Sequence, residues 1–241
     1  MPTALVTNAT QYAGPGVVLV LLRQGYATVC HDPSFIETAE RRRYEVEFVG
    51  TTCLAAQTPD EIAKEVEQHA VFVDAVVSND VYPIAPVPVE DVSIEDLRAT
   101  FEAVVVVPFR IAQLFLPQMK VRRTGSLVFV TSARPLSPEP GFAVPTSVRA
   151  AATAFAKALA REAAPFDIQV NAVCPNYLYS EMYYPRARFV DDPKGSCEIA
   201  RLVPAGRLGR PEEIGELIAF LASGKSRFTT GQAIHFTGGW P

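Results

Sequence analysis

Short, continuous apolar runs alternate along the whole chain with longer segments whose apolar residues recur at helical spacing. Unbroken apolar runs are typical of parallel strands that are covered on both faces. The predicted strands are Thr3–Thr7, Ala27–His31, Ala75–Ser78, Ser126–Thr131, Ile168–Val173 and Ala233–Phe236, and the predicted helices are Pro15–Gln24, Pro59–His69, Ser93–Met119, Thr146–Ala163 and Pro211–Ala222. This alternation predicts an α/β fold with a single Rossmann-like, doubly wound parallel sheet, in one domain that spans residues 1–241.

One long segment, Asn176 to Leu202, has no strong periodicity and carries four tyrosines, Tyr177, Tyr179, Tyr183 and Tyr184. Loops of this length in a compact domain are usually lids or binding loops. The segment is therefore predicted to shape the entrance of a binding site.

Composition narrows the class of protein. A net charge of −4 argues against a nucleic-acid surface. No apolar run approaches the roughly 20 residues of a membrane span, and the chain begins with a strand instead of a basic signal segment. The four cysteines are scattered and form no metal-ligand spacing with the three histidines. We expect a cytoplasmic protein with reduced cysteines, no bound metal and no membrane partner.

The turn between the first strand and the first helix is unusual. A dinucleotide-binding fold carries glycines here, because any Cβ would hold a pyrophosphate away from the backbone N–H groups of the helix. Only Gly14 and Gly16 remain, and Tyr12 lies beside them. The turn predicts a nucleotide-binding fold whose nucleotide site has been filled, although a loop that tolerates the ring and still binds nucleotide remains an alternative.

Polar residues follow several predicted strands at their carboxyl ends, where ligands bind in open α/β folds. Asp80 follows the third predicted strand, and Ser132 follows the fourth. Arg149 lies seventeen residues beyond Ser132 on a predicted helix. The segment Pro175-Asn176-Tyr177-Leu178 follows the fifth strand. These residues are expected to meet at one edge of the sheet.

This order of motifs, together with the tail Arg207–Glu213 and the pair Gly238-Gly239, resembles the short-chain dehydrogenase/reductase superfamily over the whole chain. At two positions the sequence departs from the usual pattern of the superfamily, and at both it resembles one branch, the halohydrin dehalogenases. Asn8 and Tyr12 replace the loop glycines, and Arg149 stands where the dehydrogenases have a lysine.

The resemblance implies an enzyme without a nicotinamide cofactor. It would convert vicinal haloalcohols reversibly into epoxides and halide, and open epoxides with small anions such as azide or cyanide. The implied assembly is a homotetramer. The implied halide pocket is walled by Tyr12 and by Pro175, Asn176, Tyr177 and Leu178.

The chemistry is also consistent with the residue types. Ser132 can bind the substrate oxygen, and backbone N–H groups near Tyr177 and Leu178 can hold a departing halide where aromatic rings exclude water. Arg149 cannot be a base, because its pKa exceeds about 12; in the family it favours a tyrosine phenolate. Asp80 is expected to orient or neutralise Arg149, or to relay the proton to solvent.

The family's base, a tyrosine four residues before the arginine, is replaced by Pro145. Proline is acceptable in the first turn of a helix, so the fold should survive. A second Tyr-x-x-x-Arg string, Tyr184 to Arg188, lies in the long segment and is interpreted as coincidence. We favour an engineered form whose base was removed. A natural relative with altered chemistry, an inactive binding or assembly partner, and a nicotinamide-binding oxidoreductase or sensor that has lost catalysis remain alternatives.

Overall fold

The protein builds one seven-stranded, fully parallel sheet with the strand order β3-β2-β1-β4-β5-β6-β7. The computed structural model describes residues 1–69, 72–83 and 85–241. The strands are β1 (Thr3–Val6), β2 (Ala27–Cys30), β3 (Thr51–Cys53), β4 (Ala75–Ser78), β5 (Gly125–Val130), β6 (Ile168–Pro175) and β7 (Ala233–Phe236). The predicted doubly wound Rossmann-like sheet is confirmed, with β3 as an additional short strand at the edge.

Helices cover both faces of the sheet. They are α1 (Gly14–Arg23), α2 (Thr38–Glu47), α3 (Pro59–Gln68), α4 (Ile94–Phe101), α5 (Val107–Arg122), α6 (Ala143–Ala163), α7 (Arg186–Phe189), α8 (Pro193–Leu202) and α9 (Pro211–Ala222). Three of them, α2, α7 and α8, were not predicted. Two of these lie in the long segment that the sequence suggested was a loop.

The helices α1 and α9 pack against each other on one face of the sheet with almost no space between them. A Cβ on Gly16 would lie 2.0 Å from the carbonyl oxygen of Pro211, and one on Gly215 would lie 2.5 Å from the carbonyl oxygen of Gly16. Glycine is therefore required at both positions for steric reasons. Gly16, one of the two glycines between β1 and α1, is therefore explained by the packing of α1 against α9.

The helix α4 continues into α5 through a π turn at Glu102–Val106. Val107 N–H bonds to the carbonyl of Glu102, five residues earlier, and Pro108 follows without an N–H of its own. A proline in this position removes a regular helical bond, which is a common reason for such a turn.

By length and composition, the continuous stretch Ile94–Arg122 is long and apolar enough to cross a membrane, and an 18-residue window within it has a mean hydropathy of 1.6. The sequence expectation concerned unbroken apolar runs, and Glu102 and Arg110 interrupt this stretch. Its inward side chains Ile111, Phe115 and Met119 belong to the hydrophobic core between helices and sheet, so the fold itself uses this apolar face.

Candidate active site

The turn after β1 has two residues with positive φ, a conformation typical of glycine, although neither residue is a glycine. Asn8 and Tyr12 have φ values of 45° and 50°. This left-handed region is normally occupied by glycine and is costly for a bulky side chain. Gly14 retains a steric role, since a Cβ there would lie 2.5 Å from the carbonyl oxygen of Ala9.

A residue at the end of β4 holds this turn in place. The side-chain amide of Asn79 donates to the carbonyl oxygens of Asn8 and Gln11, at 3.0 and 2.9 Å. Its backbone N–H donates to Oγ1 of Thr7 at 3.0 Å. The strained turn is therefore fixed from the neighbouring strand by three hydrogen bonds.

Both carboxylate oxygens of the acidic residue after β2, Asp32, accept hydrogen bonds from the protein itself. In NAD-binding folds an acidic residue at this point receives the ribose hydroxyls. Here one carboxylate oxygen of Asp32 accepts from the backbone N–H and the hydroxyl of Thr10, at 3.0 and 2.6 Å. The other accepts from the backbone N–H and the hydroxyl of Ser34, at 3.0 and 2.7 Å. No carboxylate oxygen is left free for a ribose.

An aromatic cluster forms around Tyr44 of α2 and contacts this turn. The Tyr44 hydroxyl donates to the carbonyl of Ala9 at 3.0 Å. Its ring stacks on Phe48 and meets Phe35 edge-on, with centroids 4.5 and 5.1 Å apart. The side chains of Asp32 and Tyr44 beside this turn are thus bonded to the protein itself.

Beside the filled turn lies a cavity of about 660 Å³. Seven of the nine predicted site residues line it: Tyr12, Ser132, Pro145, Arg149, Pro175, Asn176 and Tyr177. Asp80 and Leu178 are buried and are not among the residues that line it. The expectation that the carboxyl ends of the strands bring these residues together agrees with the geometry of the cavity.

Ser132 follows β5 and accepts a hydrogen bond from the backbone N–H of Arg134 at 3.1 Å. In the part of the chain that the structure describes, the Ser132 hydroxyl hydrogen has no acceptor. It is free to donate to an oxygen in the cavity. A local contact and a binding role are thus compatible for this serine.

Arg149 is buried and holds two strand ends together. Its Nη1 donates to the backbone carbonyl oxygens of Asp80 and Val130, both at 3.0 Å. The contact with Asp80 therefore runs through the main chain and not through the carboxylate. The proposed orienting role of the Asp80 side chain has no direct hydrogen bond to support it.

The Asp80 carboxylate takes its hydrogen bonds from other residues. It accepts from the Ser78 hydroxyl at 2.5 Å and from the side-chain amide of Asn8 at 3.0 Å. Burial raises the pKa of Asp80, and the hydrogen bond from Ser78 opposes that rise. His31, which the sequence did not single out, is buried nearby, and burial lowers its pKa.

Pro145 lies buried in the first turn of α6 and faces the cavity. The helix begins at Ala143, earlier than predicted, so that an N–H at position 145 would have no helical acceptor. The helix accommodates the proline at no cost in regular hydrogen bonds. The cavity consequently has Ser132 and Arg149 but no titratable group at the position of the family's tyrosine.

The loop after β6 presents two free donors. Asn176 is buried, and its Oδ1 accepts from the backbone N–H of Tyr177 at 3.0 Å and from the Tyr184 hydroxyl at 3.4 Å. Its Nδ2 is buried and has no hydrogen-bond partner in the part of the chain that the structure describes. One of the two backbone donors expected from the sequence, that of Tyr177, is thereby occupied.

The second free donor is the backbone N–H of Leu178. The residues on either side of Leu178 pair with Gly209. The Tyr179 N–H donates to the carbonyl oxygen of Gly209, and the Gly209 N–H donates to the carbonyl oxygen of Tyr177, both at 2.9 Å. Leu178 N–H points to the opposite side of this bridge and has no acceptor within the described ranges. Tyr177 adopts φ 53°, which fixes the bend of the loop.

Aromatic rings enclose this loop. Tyr12 meets Tyr183 edge-on at 5.2 Å, and Tyr177 packs against Tyr184 at 5.5 Å and against Trp240 at 5.6 Å. Tyr183 and Tyr184 are cavity residues that sequence reasoning did not assign. Their signal was the density of tyrosines in the long segment. Tyr184 and Arg188, interpreted as a coincidental motif, both line the cavity.

Comparison with known proteins places this fold and cavity in a family. The profile of the family described as enoyl-(acyl carrier protein) reductase matches residues 16–241. The oxidoreductase UcpA of Salmonella typhimurium is 32% identical over 98% of this chain and 93% of the relative. The chain therefore belongs to the short-chain dehydrogenase/reductase superfamily, as its sequence motifs indicated.

Two solved structures are similar over nearly the whole chain. One is described as a dehalogenation enzyme; it is 36% identical, has a TM-score of 0.94 and covers 100% of this chain and 98% of its own. The other is the halohydrin dehalogenase HheC bound to ethyl (2S)-oxiran-2-ylacetate; it is 34% identical, has a TM-score of 0.96 and covers 99% and 97%.

Proposed function

We propose that the cavity is a site of halohydrin dehalogenase type, which interconverts vicinal haloalcohols with epoxides and halide without a nicotinamide cofactor. The observation that carries this proposal is a pair of donors in the loop after β6, Asn176 Nδ2 and Leu178 N–H, that have no acceptor in the described residues. A buried donor without a partner costs about 1–3 kcal/mol, and an anion would offset that cost. The similarity to two dehalogenase structures supports the same reading.

The proposed reaction needs three functions. The substrate hydroxyl loses its proton, its oxygen attacks the neighbouring carbon, and the carbon–halogen bond breaks with its electron pair leaving on the halide. Ser132 would hold the oxygen through its free hydroxyl hydrogen. Asn176 and Leu178 would receive the halide. In the reverse direction, azide or cyanide would attack the epoxide carbon from the same anion site.

The proton acceptor is the missing function. Ser132 and Arg149 have no basic pKa to contribute, and Pro145 has no titratable group. Ring closure would then depend on a base from solvent or on a carboxylate elsewhere in the lining, such as Glu139. We therefore propose that the activity is impaired or redirected, as expected for an engineered form or for a relative with altered chemistry. When an anion opens an epoxide, a proton is needed only by the alkoxide that forms after the carbon–oxygen bond breaks. This direction would be less affected by the loss of the base.

The alternative, a catalytically inactive nucleotide-binding relative, is less consistent with the contacts around the first turn. Asp32 has both carboxylate oxygens occupied, and Tyr44 is bonded to Ala9. We expect no saturable binding of NAD(H) or NADP(H). Calorimetry that gave a dissociation constant in the micromolar range for one of the four nucleotides would favour the alternative.

Halide binding is the direct test of the proposal. Crystals soaked in bromide should give anomalous density between the Tyr12 ring and the loop Pro175–Leu178. In solution, the single tryptophan, Trp240, packs on Tyr177, so bromide should change its fluorescence in a saturable manner. Bromide sites on the surface alone, with none in this pocket, would contradict the proposal.

Assembly into a homotetramer is part of the same proposal. The outer face of the α4–α5 stretch exposes Phe101, Val106 and Phe109. Apolar side chains grouped in this way are typical of surfaces that are covered in an assembly. Light scattering after size exclusion should give about four times the chain mass of 26.2 kDa.

A further inference from the structure

A charged side chain stands in the wall of the cavity, next to the serine that would hold the substrate oxygen. Arg134 follows Ser132 by two residues, and its backbone N–H donates to the serine Oγ. The Arg134 side chain is only 18% exposed and lines the cavity. A guanidinium in a largely enclosed position is stabilised when anions surround it.

The protein supplies that anion only in part. Nη1 of Arg134 donates to Glu139 at 3.0 Å, and the Glu139 side chain is 44% exposed. The guanidinium also lies over the Phe142 ring, 4.0 Å from its centroid, which fixes the orientation of the plane. Arginine has five N–H donors. Across residues 1–69, 72–83 and 85–241, one of them reaches an acceptor.

The charge of the cavity lining is positive. The lining contains three arginines and two glutamates: Arg134, Arg149, Arg188, Glu139 and Glu198. Arg149 is occupied by two carbonyl oxygens. Burial raises the pKa of Tyr177, and Arg134 opposes that rise. This effect agrees with a guanidinium that faces the tyrosine side of the cavity.

We propose that Arg134 is an anion subsite that selects substrates bearing a carboxylate on a short tether from the reacting oxygen. The inference rests on the proposed function of the cavity. A carboxylate can accept two parallel N–H donors from one guanidinium, which gives both affinity and orientation. The substrate class is then hydroxy-halo acids and epoxy acids, in contrast to the neutral ester described for one structural relative.

The test compares two unreactive probes that differ in one charge. 3-Hydroxybutanoate and its ethyl ester both carry the oxygen for Ser132 and have no leaving group. By calorimetry, the protein should bind the acid at least about 10-fold more tightly than the ester. The substitution R134Q should weaken acid binding about 10- to 100-fold, as expected when a hydrogen bond to a charged group is lost, and should leave ester binding within about threefold.

Two further variants separate the subsite from general charge and from folding. R188Q removes a positive charge from the same lining and should change acid binding by less than about threefold. R134K keeps the charge and loses the planar fork, so it should lie between the wild type and R134Q. Retained ester binding by R134Q shows that this variant is folded.

Other outcomes would overturn the inference. Equal affinity of the wild type for acid and ester, or equal losses in R134Q and R188Q, would contradict it while the proposed function stands. Displacement of the acid by saturating bromide would place its carboxylate in the halide pocket and would also contradict it. If neither probe binds, the oxygen site fails, and the proposed function fails with it.

Discussion

The two sides of the cavity differ in how most of their polar side chains are paired. On the side of the first turn, Asn8, Asp32 and Tyr44 all end on protein partners. On the other side, Ser132, Asn176 and Leu178 each keep a donor without an acceptor in the described residues. Buried groups in folded proteins are nearly all paired. The contrast is not complete, because both ring nitrogens of His31 and Oδ1 of Asn79, on the side of the first turn, are also buried without a partner in the described residues. The proposed function assigns a ligand to the unpaired donors beside Ser132.

If the proposed function holds, this difference shows how one superfamily can host two chemistries. Reductases of the fold need an open turn beside β1. Here the same backbone path persists, with φ 45° at Asn8 and 50° at Tyr12, while side chains fill the space. Under the proposed function, ligand binding relies on the loop after β6 instead of on this turn.

The largest expected effect comes from supplying the missing base on the open side. P145Y should raise halide release from 1,3-dichloro-2-propanol by about 10²–10⁴-fold, the usual contribution of general-base catalysis. Ser132 and Arg149 remain in place to hold the oxygen and to favour the phenolate. The rate should rise with pH through the titration of the new tyrosine, and adding R149A should move that titration upward.

The matched control for this gain is P145F, which has the same ring without the hydroxyl and should stay at the parent rate. Circular dichroism checks folding of both variants. A folded P145Y protein no faster than P145F would mean that the open side is not a dehalogenase site and that the resemblance holds for the fold alone.

Part of this site could be predicted from the sequence. Apolar runs locate the strands, and strand ends locate ligand sites in open α/β folds, so Ser132 and Arg149 were expected at the cavity. The pairing state of Asn176 could not be predicted. It depends on the bend at Tyr177 and on the position of Tyr184, which are set by tertiary packing.

The missed helices have local causes. The sequence of α2 is strongly polar, and Tyr44 is its one buried residue, so it lacks the apolar period that identifies a helix. The helix α8 carried a usable signal, since Asp192 before Pro193 is a typical helix start and accepts from the N–H groups of Lys194 and Gly195.

The second expected effect tests the anion site without changing its shape. N176D keeps an oxygen for the Tyr177 N–H and the Tyr184 hydroxyl, and replaces the unpaired Nδ2 with a second oxygen. The bromide dissociation constant should rise about 10- to 100-fold, because a donor to the anion is lost and a like charge is added. Quenching of Trp240 fluorescence by bromide measures it.

Y184F provides the control for this series. It removes the 3.4 Å contact to Asn176 Oδ1 and leaves Nδ2 untouched, so bromide affinity should stay within about threefold. Unchanged bromide affinity in N176D would show that Asn176 is not part of the halide pocket.

The third expected effect comes from the filled side. Y44F removes the hydroxyl that donates to Ala9 and should lower the free energy of unfolding by about 1–1.5 kcal/mol, the usual net value of an internal hydrogen bond. Bromide affinity should not change, because this contact is structural. Urea denaturation and the fluorescence titration measure the two quantities. Loss of bromide binding with unaltered stability would invalidate the contrast between the two sides.

The smallest effect concerns the tail that positions the open loop. Glu213 binds Arg207 and the backbone N–H of Arg210, and so holds the segment whose Gly209 pairs with Tyr177 and Tyr179. The hydrogen bond from Arg207 lowers the pKa of Glu213 from 4.5 to about 2. The pKa is depressed in the folded state, so this stabilisation is present above pH 4.5 and is lost as pH falls through 2.

E213Q should therefore lower the free energy of unfolding by about 1 kcal/mol at pH 7, a value discounted for partial exposure of the carboxylate. The difference from the wild type should shrink as the pH approaches 2. E212Q, one residue away, should change stability by less than about 0.5 kcal/mol. Urea titrations at pH 7 and pH 3 measure both variants. A loss in E213Q that is independent of pH would assign the effect to packing, because only the charged form of Glu213 can hold both Arg207 and the first turn of α9.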